Sequence, residues 1–353
     1  MQKIAAGKNH IAIVNGDGYL WTCGDNSYGQ LGFLAFSPKQ STIKRVKKLG
    51  EVQAVAAGER FTAVIDNEHS AWMFGDNREG QLGLDNKNSR VIVPGKVKIP
   101  TTIRSVACGY SHTLFLDENG DVWSTGVNRQ GQLGCGDDLS RRKPEKIEGL
   151  PPIQSVSCGS YHSTFLDVSG MVWMCGHLRV ETRRSLESKV PIVWEGLERI
   201  REISSRRNLS TFITESGDLI ASGSFNGAGY FDLHRYELPP IKQAANNWTG
   251  LVAVDHDGGL WRGGIDIFGC ELSIPRGTLQ KYTVEDVFHI SSVAVGLDHL
   301  VMQKSDGQVC TSGGNKFGQL GIRHCKSVNR GKLNYLPDVS VCGQSSAKSA
   351  RNT

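Results

Sequence analysis

Gly24-Asp25-Asn26-Ser27-Tyr28-Gly29-Gln30-Leu31-Gly32 returns as Gly75-Asp76-Asn77-Arg78-Glu79-Gly80-Gln81-Leu82-Gly83, and again over 126–134 and 313–321. The leading glycines Gly24, Gly75 and Gly126 are followed by weaker counterparts at Gly176, Gly223 and Gly264 and a strong one at Gly313, giving spacings of 51, 51, 50, 47, 41 and 49 residues. A fixed period of roughly 40 to 50 residues is the mark of stacked repeats. The chain therefore reads as seven copies of one unit.

Upstream of each leading glycine lies a second shared pattern, clearest from Val106 to Trp123, where two short apolar runs flank Asp117-Glu118-Asn119-Gly120. That spacing predicts a hairpin with a loop of four or five residues. The hairpin recurs near Asn15, Asp167, Glu215, Asp255 and Ser305. Small residues open the first strand of each unit (Ala5-Ala6-Gly7, Ala56-Ala57-Gly58, Ser157-Cys158-Gly159), as expected where strands crowd toward a common axis. Trp21, Trp72, Trp123, Trp173 and Trp261 give five of the seven units one large residue, expected in the second strand, to fill the space between sheets. Such units, unable to bury their faces alone, stack radially into an all-β, seven-bladed propeller of four-stranded blades, or else into an open solenoid. A closed ring is favoured because unit one lacks an outer segment like Ser41 to Val55, while Lys332 to Cys342 looks like such a segment. The expectation is one domain over 1–342, closed by the C-terminal segment pairing with the N-terminal unit, and a disordered polar tail over 343–353.

Composition agrees. Glycine, at 42 residues against 11 prolines, is well above its usual share of about 7%, as a chain of many tight turns requires. No run of about 18 apolar residues exists to span a membrane, and Met1 to His10 lacks the apolar stretch of a secretory signal, so the chain is read as intracellular, in cytoplasm or nucleus, and as a monomer. The nine cysteines have no C-x-x-C pair and read as reduced core residues. A net charge of +5 permits an acidic partner without demanding nucleic acid. No phosphate-binding loop, zinc-protease helix or nucleophile elbow is present, so neither an enzyme that makes or breaks bonds nor a metal or other cofactor is expected.

Candidate binding residues follow from the repeat. His10, His112, His162 and His299 share one position, which argues for a structural role with a ring nitrogen bonding a neighbouring turn. The residue before that position varies from unit to unit: Asn9, Arg60, Ser111, Tyr161, Asn208, Trp248 and Asp298. Variable residues on equivalent loops around one mouth are how repeat folds build binding faces. Arg206-Arg207-Asn208 and Asn246-Asn247-Trp248 replace the glycine-histidine loop in units five and six, and Arg207 with Trp248 has the composition of an interface hot spot. Basic runs at Lys44, Arg45, Lys47 and Lys48, at Arg141 and Arg142, and at Arg183 and Arg184 are candidates for contact with an anionic partner such as DNA.

The paired signature, small-small-Gly-x-x-His before the hairpin and Gly-x-Asn-x-x-Gly-Gln-Leu-Gly after it, resembles the regulator of chromosome condensation repeat. Over residues 1 to about 342 four units match strongly and three weakly. The resemblance implies a seven-bladed propeller. Its founding members are guanine-nucleotide exchange factors for the small GTPase Ran on chromatin, and others are scaffolds or parts of ubiquitin ligases and ciliary proteins. It implies a protein-interaction propeller that binds a small GTPase and acts as an exchange factor, the alternative being a scaffold that docks on chromatin, DNA or another protein. Asp298-His299-Leu300-Val301-Met302 is similar to a stretch of the Ran exchange factor whose aspartate faces the GTPase. Units four to six depart from the pattern, and no unit has spare length for the hairpin wedge that the exchange factor inserts.

Overall fold

The computed structural model describes residues 2–35, 37–180, 185–225, 229–247, 250–264, 278–282, 289–323, 333–336 and 339. Trp248, Arg183, Arg184 and the tail 343–353 lie outside them. The described strands form seven four-stranded sheets, each made from one contiguous stretch of chain. Blade 3 represents them: inner strand Ile103–Cys108, second strand His112–Asp117, third strand Val122–Gly126 and outer strand Arg141–Lys146. Its second strand is buried throughout and its outer strand is largely exposed.

The hairpin aspartate explains the spacing to the tryptophan. In blade 3 Asp117 Oδ1 accepts the Asn119 and Asp121 amides while Oδ2 accepts the Trp123 indole N–H at 3.2 Å. Asp66, Asp167 and Asp255 hold Trp72, Trp173 and Trp261 in the same way. Each ring also packs against the apolar layer between blades, as its position in the sequence predicts. Blade 1 has Asn15 instead, and among the described residues the Trp21 indole N–H finds no partner.

The leading glycines lie at or within one residue of the third-strand ends in blades 1, 2, 3, 6 and 7 and inside the third strands of blades 4 and 5, all at φ between +91° and +117°, where a Cβ at Gly126 would lie 2.4 Å from the Ser111 carbonyl oxygen. The Gly-Gln-Leu-Gly turn that follows is a clasp between blades. Asn128 Oδ1 accepts the Leu133 amide at 2.8 Å and Gln132 Oε1 accepts that of Gln130 at 2.9 Å, which drives Leu133 into full burial. The turn lies against the next blade's outer strand, where a Cβ on Gly131 would meet Lys189 Cα at 2.7 Å.

Seven apolar clusters fill the seams between consecutive blades, one per seam, so the ring is closed. It does not close as the sequence suggests. Blade 1 has its own outer strand, Lys39–Arg45, and the C-terminal Asn334–Tyr335 pairs with Val309–Gly313 in blade 7. The outer strand follows its leading glycine within the same blade, so Ser41 to Arg45 belong to blade 1, Val52 to Val55 begin the inner strand of blade 2, and unit one lacks nothing. Closure rests on side chains: Ile4, Ala6, Ile11, Ile13 and Cys23 pack on Ala294, Val301, Val309, Leu336 and Val339. One backbone bond, from the Leu297 amide to the Lys8 carbonyl at 3.0 Å, crosses the same seam.

Blade 4 departs in a second way. Its third and outer strands remain paired beyond Gly176 through His177↔Glu187, Leu178↔Leu186 and Arg179↔Ser185. No length has been added to this unit; His177 to Arg179, which follow the leading glycine, continue the strand pairing instead. Leu178 takes the place of the clasp leucine, fully buried and within reach of Gly223 in blade 5.

Candidate functional site: the loop face and the channel mouth

The backbone carbonyls of Asn9, Arg60, Ser111, Tyr161, Asn208 and Asp298 accept the amides of Asp25, Asp76, Val127, His177, Ser224 and Gly314, at 2.7 to 3.0 Å. These residues therefore occupy equivalent loops, tied to the residue after each leading glycine, around one mouth of the ring. The loops are held from below by ring residues lying flat on glycine: a Cβ at Gly7, Gly58, Gly109, Gly159 or Gly296 would fall 1.9 to 2.4 Å from the ring of His10, Phe61, His112, His162 or His299.

The histidines bond across the seam to a strand hydroxyl rather than to a turn. His10 Nε2 lies 3.0 Å from Thr62 Oγ1, His112 Nε2 3.1 Å from Ser163 Oγ and His162 Nε2 2.8 Å from Ser210 Oγ. Thr62 and Ser163 donate their own protons to the Gln30 and Gln132 carbonyls, so the imidazole must be the donor and carries its proton on Nε2. Burial pulls His10 and His162 down to about 3 and His112 to about 4. In blade 1 the strand position of that hydroxyl is held by Ile11, and among the described residues His299 Nε2 has no partner.

The face carries two aromatic and cationic clusters. Tyr110 and Tyr161, 37% and 48% exposed, stand on adjacent blades with ring centroids 6.5 Å apart, and the Arg207 guanidinium lies 5.2 Å from the Tyr110 ring. Tyr28 is flanked by Arg60 at 4.9 Å and Arg78 at 4.8 Å. Tyr110 and Tyr28 escape a reading confined to the residue before the histidine, although Tyr110 sits one position earlier in the same variable loop. Asn208 is engaged with Ser224, and Asp298 accepts from Gln319 Nε2 at 3.1 Å.

Arg207 is not the free hot-spot cation its sequence position suggests. It crosses the ring to Glu59 in blade 2 at 2.8 Å, the two side chains being 16% and 7% exposed, and Lys8 of blade 1 reaches the same carboxylate at 3.2 Å. Arg206 crosses to blade 1 and donates to the Ala6 carbonyl at 2.7 Å. Beneath this bracing runs a central channel of about 630 Å³, lined by the inner strands of all the blades.

The basic runs separate by their partners. Arg141 is held by Asp137 and Glu145, and Arg142 donates to the Asn77, Arg78 and Asn86 carbonyls of blade 2. Lys44, Arg45, Lys47 and Lys48 are exposed on the outer edge of blade 1. Arg45 lies over the Tyr19 ring at 3.4 Å, and among the described residues no carboxylate pairs with any of the four.

The RCC1-like domain profile matches residues 1–233, and the chain belongs to that family. It is 26% identical over 342 residues to the ultraviolet-B receptor UVR8 of Arabidopsis thaliana, covering 90% of this chain and 66% of the receptor. It is 42% identical over 89 residues to the human X-linked retinitis pigmentosa GTPase regulator, covering 25% of this chain and 9% of that protein. The matched region is thus less than two thirds of either relative's length. Among solved structures, Prp20p of Saccharomyces cerevisiae superposes with a TM-score of 0.77 at 19% identity, over 95% of this chain and 86% of that one, a likeness of fold.

Proposed function

We propose that this chain is a protein-binding propeller whose partner is a small GTPase seated on the loop face, with Tyr110 and Tyr161 as its anchors. The observation that carries the reading is the pairing of two exposed tyrosines with a guanidinium that Glu59 fixes in place. Rigid, amphipathic rings beside arginine are the composition most enriched in interface hot spots. Family membership supports the class of partner: one relative is named a GTPase regulator, and Prp20p binds Gsp1p and histones. Nucleotide exchange is the finer reading. The blade 4 strand pairing that continues past Gly176 begins beside Tyr161, whose carbonyl accepts the His177 amide at 2.7 Å, and with the like extension of blade 5 past Gly223 it stands on the face a partner would meet. Exchange requires tighter binding to the nucleotide-free GTPase, which by linkage lowers nucleotide affinity by the same factor. Release of a fluorescent nucleotide from Ran, Rab and Rho GTPases tests both levels. Tyr161→Ala should weaken association by about 1 to 3 kcal/mol with little change in melting temperature; no association with any of the three overturns the reading.

A second reading, a non-catalytic scaffold on DNA or chromatin, is favoured by the uncompensated Lys44, Arg45, Lys47 and Lys48. Binding through them should fall steeply with salt. A salt-insensitive interaction excludes it.

A further inference from the structure

At the end of the inner strand, where the chain turns into the mouth loop, five blades carry glycine (Gly7, Gly58, Gly109, Gly159 and Gly296) and blade 6 carries Asn247. Blade 5 carries Arg206, and the partner position has changed with it: Leu209 stands where a ring would need glycine beneath it. The Arg206 side chain lies over the channel. Arg206 spends one N–H on the Ala6 carbonyl, and among the described residues no other acceptor lies within hydrogen-bonding reach of its guanidinium, which has five donors.

The carboxylate whose charge acts on Arg206 is Glu59, already shared by Arg207 and Lys8, so among the described residues three cations face this one anion at this end of the channel. Among the described residues the other charged groups lining the channel are Glu202 and Lys242. Burial pushes the Glu202 carboxyl up to about 7, so it compensates the cations only in part. Below Arg206 the wall offers Ser105, Ser155, Ser157, Ser204 and Asn246, and at the far end Gln2 and Lys242 are exposed. A recessed, under-compensated guanidinium over a hydroxyl-lined cavity is a site for a planar or tetrahedral oxyanion.

We propose that the central channel binds a small phosphorylated molecule, its phosphate held by Arg206 beneath the braced mouth and its entry from the opposite end. The site is independent of the loop-face reading. Inorganic pyrophosphate is the probe. Calorimetric titration of the full chain should give saturable binding. Arg206→Gln should weaken it at least tenfold, and the triple change Lys44→Gln, Lys47→Gln, Lys48→Gln should leave it unaltered. If Arg206→Gln does not fold, Arg206→Gly, which restores the residue of five other blades, serves in its place. No saturable binding by the unaltered protein, equal binding by the Arg206 variant, or loss of binding in the triple variant would overturn the proposal. GTPase association serves as the separate readout: its persistence in Arg206→Gln would leave the loop-face reading standing whatever the pyrophosphate result.

Discussion

Lowering the pH from 7.5 to 5.5 should destabilise this propeller through its seam histidines. His10, His112 and His162 are neutral in the folded state, with pKa values near 3, 4 and 3 against 6.5 when unfolded. Below pH 6.5 the unfolded chain takes up protons that the folded one refuses, so stability falls as the pH falls through the window from 6.5 toward 4. Between pH 7.5 and 5.5 each imidazole contributes a loss of about 1.4 kcal/mol, or about 4 kcal/mol for the three. Glu202 acts in the opposite sense, because its folded pKa of about 7 lies above the unfolded 4.5 and the folded state binds the extra proton. It would return at most about 1.8 kcal/mol over the same interval, less because channel water screens it. Urea unfolding followed by tryptophan fluorescence at pH 7.5, 6.5 and 5.5, at fixed ionic strength, should show a net loss of about 2 to 3 kcal/mol. In Glu202→Gln the loss should approach the full 4 kcal/mol, as an order of magnitude. Adding His112→Gln to that background should remove about a third of it. A Glu202→Gln protein equally stable at the two ends of the range would refute the seam assignment, since it would mean that the imidazoles reach solvent and titrate alike in both states.

Three other outcomes are expected. Leu336→Ala should lower stability by about 2 to 4 kcal/mol by opening the closing seam, whereas Tyr335→Ala, one residue earlier but 40% exposed, should stay within about 0.5 kcal/mol; equal effects would argue for closure through strand pairing. Arg207→Gln should cost about 2 kcal/mol, below the usual loss for a broken buried pair because Lys8 still holds Glu59, and an unchanged urea midpoint would contradict the brace. Asn15→Asp combined with Asp17→Ser should supply Trp21 with the acceptor its counterparts have and raise stability by about 1 kcal/mol; a lower melting temperature would count against the role given to the hairpin aspartate.

The blade number and the equivalence of the mouth loops were legible because each rests on local chemistry. The clasp needs Asn128, Gly131 and Gln132 at fixed offsets, and the hairpin needs Asp117 six residues before Trp123. Closure was misread because a period has no origin: the repeat is the same whether the outer segment is assigned to the glycine before it or the strand after it, and only the pairing of Trp21 with Arg45 decides. The braced mouth was illegible for another reason. Glu59 and Arg207 are 148 residues apart and meet only because blades 2 and 5 face across the channel. The hairpin of blade 4 was hidden by counting length, since Leu178 reaches the clasp leucine's place by strand pairing rather than by a turn.

Each sheet being built from one unbroken stretch of chain, with no strand shared between the last and the first among the described residues, bears on how such rings can change in evolution. A cut made at any seam, for instance beside Gly50, falls between sheets and leaves every hydrogen-bonded ladder whole. A gene duplication or loss of one repeat therefore adds or removes a complete blade. The same chain could be reopened by circular permutation at any seam, and no blade is privileged as the place where the ring begins.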